Sequence, residues 1–334
     1  MDLTGELEAL ARSVGDAAGP VVAVGARTQF DVGGPVPTDA TMVRAPAGTV
    51  RFEPADLTVT VGAGTPVRDL DALLADAGQE VPLDPRDADA TVGGVLAAGL
   101  SGHRRLGRGP VREAVLEVRA AMADGRMVKG GGPTVKNVSG YDMPRLFVGS
   151  MGTLGVLGQV TLRSRARSRE VRWVRRRDAD PRAVRRCCPD ATCVAWNGTD
   201  TVVLLEGHPA DLDIQADAAG LAFSDPPVWP SGPHRARLSI RPGAVVGLRD
   251  GLDDTGAQWC AEIGVGTVHV AADDPAALAR ARVVAHGVGG WMLREAGAPE
   301  LDGFGIELPN RALLRRIKHA FDPDDKLAPG RMPL

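Results

Sequence analysis

The chain has 334 residues, a formal net charge of −3 at pH 7 and an apolar content of 44%. This length is sufficient for two domains with a core in each, and the weak negative charge excludes a general attraction to nucleic acid or to an anionic membrane. The sequence shows neither an apolar run of about 18 residues nor a basic and then apolar leader, so no transmembrane helix and no secretion signal is predicted. We expect a cytoplasmic protein.

The four cysteines, Cys187, Cys188, Cys193 and Cys260, have the spacing of neither a zinc site nor an iron–sulfur site. We expect them to be small buried side chains in a reducing compartment. No metal site is predicted.

The first elements are a helix and a buried strand. Residues 1–18 carry leucines and a valine at a 3.6-residue period, which predicts a short amphipathic helix. Residues 21–24 are typical of a buried strand, and a loop of small and hydrogen-bonding residues follows: Gly25, Ala26, Arg27, Thr28 and Gln29. This loop is either an ordinary turn or a loop that binds phosphate.

A hairpin and a second helix come next. Residues 50–53 and 57–61 predict the hairpin. Thr65 is predicted as the N-cap of the helix and Pro66 as its first residue, with Gly78 after its end. Because Val67 stands where a dinucleotide fingerprint needs its third glycine, a nicotinamide site is not predicted.

Residues 82–156 are unusually rich in small residues between short β-branched runs, beginning with Pro82. Such a composition lets the main chain approach a flat or anionic ligand closely. Thr91, Gly93 and Gly94 predict a tight turn whose amides face a diphosphate, and a short helix is expected to start at Val95. The small residues Ala97, Ala98 and Gly99 then allow this helix to pack against a cofactor.

A glycine-broken loop, residues 99–109, contains Gly102 and four basic side chains, His103, Arg104, Arg105 and Arg108. These side chains are either a solvated charged loop or include a group that contacts a cofactor or an anionic substrate. Arg105 is the preferred candidate. Further along, Asp124-Gly125 predicts a hairpin turn.

Two further motifs complete this stretch: KNVSGYD at 136–142, and GSMGTLGV at 149–156, which RLFV precedes. With the glycine motifs above, they closely resemble the vanillyl-alcohol-oxidase, or PCMH-type, family of FAD-binding proteins, and within it the FAD-binding subunits of bacterial glycolate oxidases. The resemblance covers the first half of the chain and its last turn. It departs at Met151, where relatives that oxidise substrate usually have glutamate.

The resemblance implies an α+β fold: a PCMH-type FAD-binding domain of two subdomains at 1–165, an α+β cap at 166–308, and a C-terminal helix and tail at 309–334 that return to the first domain. FAD is expected to be bound without a covalent bond, because the loop at 25–29 lacks the histidine that some relatives attach to the flavin. Further FAD contacts implied by the family motifs are Lys136, Tyr141, Gly152, Thr153, Gly155, Val156 and Arg331. Each of three residues has an alternative role without an FAD contact. Lys136 is then a surface lysine, Tyr141 a half-buried tyrosine, and Arg331 forms a plain salt bridge.

The second half shows strand-like and helix-like segments in the α+β pattern of a cap that shapes a substrate pocket. The expected strands are 171–174, 194–196, 202–205, 238–240, 259–263 and 268–270, and the expected helices are 209–221 and 275–286. An arginine-rich stretch at 163–186 precedes them. It is a solvated strand face or an interdomain hinge, or else a surface that docks an acidic partner or nucleic acid.

Catalytic candidates are few. The histidines lack the H-x6-H spacing with which metal-dependent relatives hold a divalent metal. His269 is either a core histidine or a general base near neutral pH, and Tyr141 is the other candidate.

The resemblance implies an FAD-dependent oxidoreductase: the flavin subunit of a glycolate oxidase-like D-2-hydroxy-acid dehydrogenase, which passes hydride from the substrate α-carbon to flavin N5. Catalytic flavoprotein and iron–sulfur partner subunits are then expected, with attachment to the inner membrane only through them. The alternatives are a non-catalytic FAD-binding subunit for electron relay, which Met151 and Ala328 favour, and a stand-alone oxidoreductase of another alcohol or sugar.

Overall fold

A computed structural model describes residues 1–133, 142–308 and 310–334. Within these ranges the helices are α1 Thr4–Asp16, α2 Val67–Asp76, α3 Val92–Ala98, α4 Arg105–Arg108, α5 Met143–Phe147, α6 Pro181–Cys187, α7 Pro209–Ala219, α8 Arg249–Asp253, α9 Pro275–Gly287 and α10 Arg311–Phe321. The strands are β1 Val21–Ala23, β2 Thr41–Val43, β3 Thr49–Glu53, β4 Thr58–Gly62, β5 Gln79–Glu80, β6 Val115–Ala121, β7 Met127–Gly131, β8 Val156–Arg163, β9 Arg165–Ala166, β10 Glu170–Arg177, β11 Cys193–Trp196, β12 Asp200–Gly207, β13 Ala222–Phe223, β14 His234–Ser239, β15 Gln258–Glu262, β16 Thr267–Ala272 and β17 Trp291–Ala296.

The first half is built on a five-stranded sheet in the order β3-β4-β8-β6-β7, with all neighbours antiparallel. One face is covered by α2 and α3, whose Leu70, Leu74 and Leu96 are fully buried. The other face is covered by α1 and by the parallel pair β1-β2. Helix α1 lies so close to β8 that a Cβ on Gly158 would come within 2.6 Å of Leu7.

The second half is built on an eight-stranded antiparallel sheet in the order β13-β10-β12-β11-β15-β16-β14-β17. Helices α6 to α9 cover one face, where every second strand residue is apolar and buried. The opposite face turns towards the first half, and on strands β14 to β17 it carries charged and histidine side chains. The expected α+β fold is confirmed, and the predicted cap strands appear with shifts of a few residues, whereas β13 and β17 were not predicted.

The starts of two helices differ from expectation. The predicted N-cap at Thr65 is wrong: its hydroxyl donates to the Gly62 carbonyl oxygen at 2.7 Å, and α2 begins at Val67 without a side-chain cap. The turn predicted at Thr91, Gly93 and Gly94 is the first turn of α3, which begins at Val92 with Thr91 as its N-cap. Small residues can also be part of a helix, so Gly93 and Gly94 belong to α3 and not to a turn before it.

The C-terminal tail runs beside β1. The Val21 amide donates to the Lys326 carbonyl oxygen, and the Ala328 amide donates to the Val21 carbonyl oxygen, both at 2.8 Å. The buried ammonium of Lys318 on α10 holds this arrangement, donating to the carbonyl oxygens of Thr153 at 3.0 Å and Leu327 at 2.8 Å. The tail, α10 and the loop before β8 therefore form one hydrogen-bonded unit.

Arg104 joins the two halves of the molecule. Its guanidinium contacts Asp84 at 2.6 Å, Glu80 at 2.7 Å and Glu206 of β12 at 3.3 Å. Arg108 also contacts Glu206. The side chains of Arg104 and Arg108 are only 15% and 10% exposed, so the interpretation of the whole loop as solvated is wrong for these two residues.

No described helix combines the length and the apolar character needed to cross a membrane.

Candidate functional site

A narrow crevice of about 80 Å³ lies between the end of β1, the start of α3 and the C-terminal tail. We call it the glycine-lined crevice. Its walls are the loop after β1, the exposed side of α3, Met151 and Gly152 from the loop before β8, and Arg331. Gly152 has φ +76° and nothing within 4 Å of the position of a Cβ, so its main chain faces open space.

Small residues are required for this crevice to form. A Cβ on Gly25 would lie 2.3 Å from the Thr91 hydroxyl oxygen. That hydroxyl caps α3 by accepting a hydrogen bond from the Gly94 amide at 3.2 Å. Behind α3, a Cβ on Gly93 would lie 2.8 Å from Ala63. The loop and the helix can approach this closely only because these positions lack side chains.

Polar groups stand at one end of the crevice. The Gln29 side-chain oxygen is buried and has no hydrogen-bond partner among the described residues. Arg331 donates to the carbonyl oxygens of Phe30 at 2.7 Å and Gly34 at 3.0 Å, and burial lowers the pKa of its guanidinium. Arg331 therefore fixes the loop after β1 through hydrogen bonds to main chain, and the alternative of a plain salt bridge is wrong among the described residues.

A second and larger cavity, of about 520 Å³, continues from the crevice, with which it shares Thr28, Gln29 and Val32. We call it the interlayer cavity, because loops at 84–87 and 100–103 form one wall and the eight-stranded sheet forms the other. Its volume is in the range of pockets that bind small molecules, roughly 300–1,000 Å³.

The sheet wall carries a row of polar side chains on four neighbouring strands: Glu262 on β15, His269 on β16, Arg237 on β14 and Glu295 on β17. Arg237 faces His269 directly across β14 and β16. The His269 Nε2 lies 3.1 Å from a Glu262 carboxylate oxygen, and the Arg237 Nε donates to Glu295 at 3.1 Å. We refer to these four residues as the polar row.

Burial and neighbouring charges set the protonation of this row. Burial lowers the pKa of His269, an effect that its hydrogen bond to the Glu262 carboxylate opposes. Burial also acts to raise the pKa of Glu295, but the charges of the nearby arginines, chiefly Arg237 and then Arg86, outweigh it, so that this pKa is lowered. At neutral pH the cavity thus holds a neutral imidazole beside an ionised Glu295.

The structure brings most of the predicted site residues together. The crevice is lined by Gly25, Ala26, Arg27, Thr28, Gln29, Thr91, Gly94, Ala97, Ala98, Gly152 and Arg331, and the interlayer cavity by Gly102 and His269. Gly93, Gly99, Thr153, Gly155 and Val156 lie behind these walls, where they pack against neighbouring main chain or side chains. Pro82 and Arg105 lie outside the lining of both cavities, and Lys136 and Tyr141 lie outside the described residues.

Several cavity residues were not predicted: Arg86, Trp229, Arg235, Arg237, Glu262 and Glu295. A sequence signal exists for three of them. Arg237, Glu262 and Glu295 are charged residues inside or at the end of strands whose alternate positions are apolar. Glu262 also precedes His269 by seven positions, the spacing at which a second histidine was sought.

The sequence model of the family described as "FAD binding domain" matches residues 3–131. Together with the small-residue crevice, this identifies the segment as an FAD-binding domain, and FAD is its cofactor. The expected resemblance is confirmed for this part of the chain.

Two curated relatives match about half of the chain. The Escherichia coli K12 protein "Glycolate oxidase subunit GlcE" is 39% identical over 159 residues, which are 47% of this chain and 45% of that protein. The Archaeoglobus fulgidus protein "D-lactate dehydrogenase" is 38% identical over 160 residues, 47% of this chain and 36% of that protein. The matches thus span less than half the length of these relatives.

A solved structure of "alkyldihydroxyacetonephosphate synthase" superposes with a TM-score of 0.70 and 14% identity, covering 97% of this chain and 75% of that one. At this identity the similarity extends to the fold alone. It confirms that the fold continues beyond the matched FAD-binding segment.

Proposed function

We propose that the protein is an FAD-dependent oxidoreductase, the flavin subunit of a glycolate oxidase-like D-2-hydroxy-acid dehydrogenase. The observation that carries this proposal is the interlayer cavity, where the imidazole of the polar row and the guanidinium groups of Arg235 and Arg237 lie in a space continuous with the FAD crevice. A 2-hydroxy acid needs a cation for its carboxylate and a base for its hydroxyl. The relatives named for glycolate and D-lactate support the same substrate class.

FAD is held without a covalent bond by main chain and small side chains of the crevice. Gly94, Ala97 and Ala98 of α3 and Gly152 provide surfaces that a flat cofactor can approach, and the unpaired Gln29 oxygen supplies an acceptor. When bound, FAD supplies the two-electron oxidant that takes hydride from the substrate α-carbon.

Arg235 recognises the substrate carboxylate. The other two cavity arginines, Arg86 and Arg237, both contact Glu295, at 3.4 Å and 3.1 Å. Arg235 makes no salt bridge among the described residues, and its guanidinium donates only to the Gly232 carbonyl oxygen at 3.2 Å. It therefore keeps donors for an anionic ligand.

His269 is the general base for the substrate hydroxyl. Its pKa is lowered by burial, so the imidazole is neutral at neutral pH and able to accept a proton. Its Nδ1 is buried and has no partner among the described residues, which leaves this nitrogen for a ligand.

The second candidate is a non-catalytic FAD-binding subunit that relays electrons beside a catalytic flavoprotein. Met151 favours it, because this residue lines the crevice with an apolar side chain where a carboxylate was expected. In either role the partners are a catalytic flavoprotein and an iron–sulfur subunit. The proposal includes the cytoplasmic location, with attachment to the inner membrane only through these partners.

The decisive experiment is an absorption spectrum of the FAD-loaded protein before and after anaerobic addition of glycolate or D-lactate. We expect the flavin bands to bleach. An Arg235→Met variant should need about 10–100 times more substrate for half-maximal bleaching, as expected for the loss of a charge-assisted hydrogen bond of about 1.5–3 kcal/mol.

The matched control is Arg241→Met, at an exposed position shortly after the same strand, which should behave as the unaltered protein. Flavin bands that persist with both substrates would favour the electron-relay role. Bleaching that Arg235→Met leaves unaltered would refute the assignment of the carboxylate site.

A further inference from the structure

Glu262 and His269 form a buried pair inside the interlayer cavity. In the antiparallel pairing of β15 with β16, Cys260 faces His269 and Glu262 faces Thr267, so Glu262 lies diagonally across from the imidazole on the same face. The two side chains are 4% and 5% exposed, and 3.1 Å separates the carboxylate oxygen from Nε2. The pair is therefore shielded from solvent, unlike an ion pair on the protein surface.

This contact determines which nitrogen of the imidazole carries the proton. A carboxylate can only accept hydrogen bonds, so the hydrogen between the two groups belongs to Nε2. The neutral ring then has a lone pair on Nδ1, the atom without a partner among the described residues. Trp229 stands edge-to-face against the ring, with 5.1 Å between the centroids, and hinders its rotation.

We propose that Glu262 is a positioning residue that holds His269 in the Nε2–H form and presents Nδ1 as the base. This inference rests on the proposed function, in which His269 accepts the substrate proton. Glu262 was not a predicted site residue. A carboxylate beside an imidazole stabilises the imidazolium that forms when the ring accepts a proton, and so makes the imidazole a more effective base.

The proton and electron balance is complete with the oxidant that the proposed function supplies. The proton of the substrate hydroxyl passes to Nδ1 as the O–H bond breaks, and the carbonyl bond forms while the α-hydrogen leaves with its electron pair to oxidised FAD. His269 is then an imidazolium, and the adjacent Glu262 carboxylate stabilises its positive charge. Subsequent loss of the proton to solvent restores the neutral base.

The charged and titratable groups that share the cavity with this pair come from every surrounding element: Arg235, Arg237, Glu295, Arg86, Asp84, Asp87 and His103. Arg237 and Arg86 disfavour the imidazolium, whereas Glu262 favours it. Loss of the Glu262 charge should therefore move the acidic limb of the rate profile to lower pH. A purely structural role for Glu262 predicts no such displacement.

The first test measures the tautomer directly. Long-range ¹H–¹⁵N spectra of the FAD-loaded protein with labelled histidine distinguish a protonated ring nitrogen from one with a lone pair, and His269→Gln identifies the signal. We expect Nε2–H in the unaltered protein and a gain of the Nδ1–H form in Glu262→Gln, because the amide can donate to Nε2. His286→Gln, at an exposed position on α9, is the control and should leave the His269 signal unchanged.

The second test follows anaerobic flavin reduction in single turnovers across pH. We expect Glu262→Gln to lower the limiting rate on the order of 10²-fold with a small effect on substrate affinity, and to move the acidic limb to lower pH. Glu262→Asp keeps the charge and the acceptor, so it should retain the tautomer and part of the rate. It also separates loss of the charge from a failure to fold.

The outcomes separate this inference from the proposed function. An Nδ1–H form in the unaltered protein, or a Glu262→Gln variant that retains the tautomer and the rate, would overturn the role of Glu262. A protein that shows the expected tautomers but whose flavin is reduced by neither glycolate nor D-lactate would refute the proposed activity and leave the positioning contact standing.

Discussion

Lys318 should be one of the most sensitive positions for folding, although it lies far from the polar row. Its ammonium is buried and donates to the carbonyl oxygens of Thr153 and Leu327 and to the carboxylate of Asp322, whose side chain is fully buried. Lys318→Met keeps the length and apolar stem of the side chain and removes the charge and all three donors. The change therefore isolates the polar role of this residue.

The expected cost follows from the groups left behind. Removing one partner of a buried ion pair typically costs about 3–5 kcal/mol, because the other charge stays buried without compensation. The Leu327 amide at 2.6 Å and the Lys326 amide at 3.0 Å still donate to Asp322 and moderate this cost, whereas the two carbonyl oxygens lose their donor. We expect the free energy of unfolding to fall by about 3–5 kcal/mol.

Guanidinium-induced unfolding, followed by tryptophan fluorescence and by release of FAD, measures this change. The matched control is Arg316→Met on the exposed side of α10, which should alter the free energy of unfolding by less than about 0.5 kcal/mol. The double variant Lys318→Met/Asp322→Leu should lose less free energy of unfolding than the two single variants lose in sum, because both members of the ion pair are then removed together. A Lys318→Met variant that unfolds within about 1 kcal/mol of the unaltered protein would refute the reasoning.

Three further predictions follow from the contacts of the two cavities and the network that joins the halves. Gly25→Val places atoms against the Thr91 hydroxyl, which lies 2.3 Å from the Cβ position. It should abolish FAD binding in a fluorescence titration and lower the free energy of unfolding by about 1–3 kcal/mol. The control Gly19→Val, with open space at its Cβ position, should bind FAD normally. Burial lowers the pKa of His269 below 6.5. The contribution of this histidine to stability is therefore complete above pH 6.5 and is lost as the pH falls through the lowered pKa. The difference in unfolding free energy between the unaltered protein and His269→Gln should narrow with acidification, and a constant difference would contradict the assignment. Arg104→Leu leaves three carboxylates without their shared cation and should destabilise the protein by about 3–5 kcal/mol in urea unfolding.

The sequence was informative where a local pattern has one structural solution. The apolar spacing of α1 and the Asp124-Gly125 turn between β6 and β7 both appear as predicted. Each depends on contacts between residues near in sequence, so period and turn chemistry decide the outcome.

Thr65 shows how a local rule fails. Threonine before Pro66 fits a helix N-cap, but its hydroxyl has a competing acceptor, the Gly62 carbonyl oxygen three residues earlier. A helix cap needs the hydroxyl oxygen as an acceptor, and this oxygen accepts from the Gly48 amide at 2.9 Å instead. The choice between the two depends on main-chain geometry that composition does not reveal.

Arg104 and the polar row could not be predicted for a different reason. The carboxylates that bind Arg104 lie 20, 24 and 102 positions away. Arg237 alternates with the buried apolar residues Ala236 and Leu238 along β14, a pattern that is also typical of an ordinary strand with one face in water. Only the packing of the loops at 84–87 and 100–103 over this face distinguishes a buried polar row from a solvated one.

The energetic cost of the row supports its connection with a ligand. Burying Glu295 with Arg237 removes two charges from water, and a well-packed apolar pair of similar volume is often equally or more stabilising. A sheet face whose only task was to hold the two layers together would therefore gain little from these residues. The row instead lies where the layers leave a cavity continuous with the FAD crevice. Among the described residues the His269 Nδ1 has no hydrogen-bond partner and Arg235 makes no salt bridge, so a ligand in this cavity can pair with both.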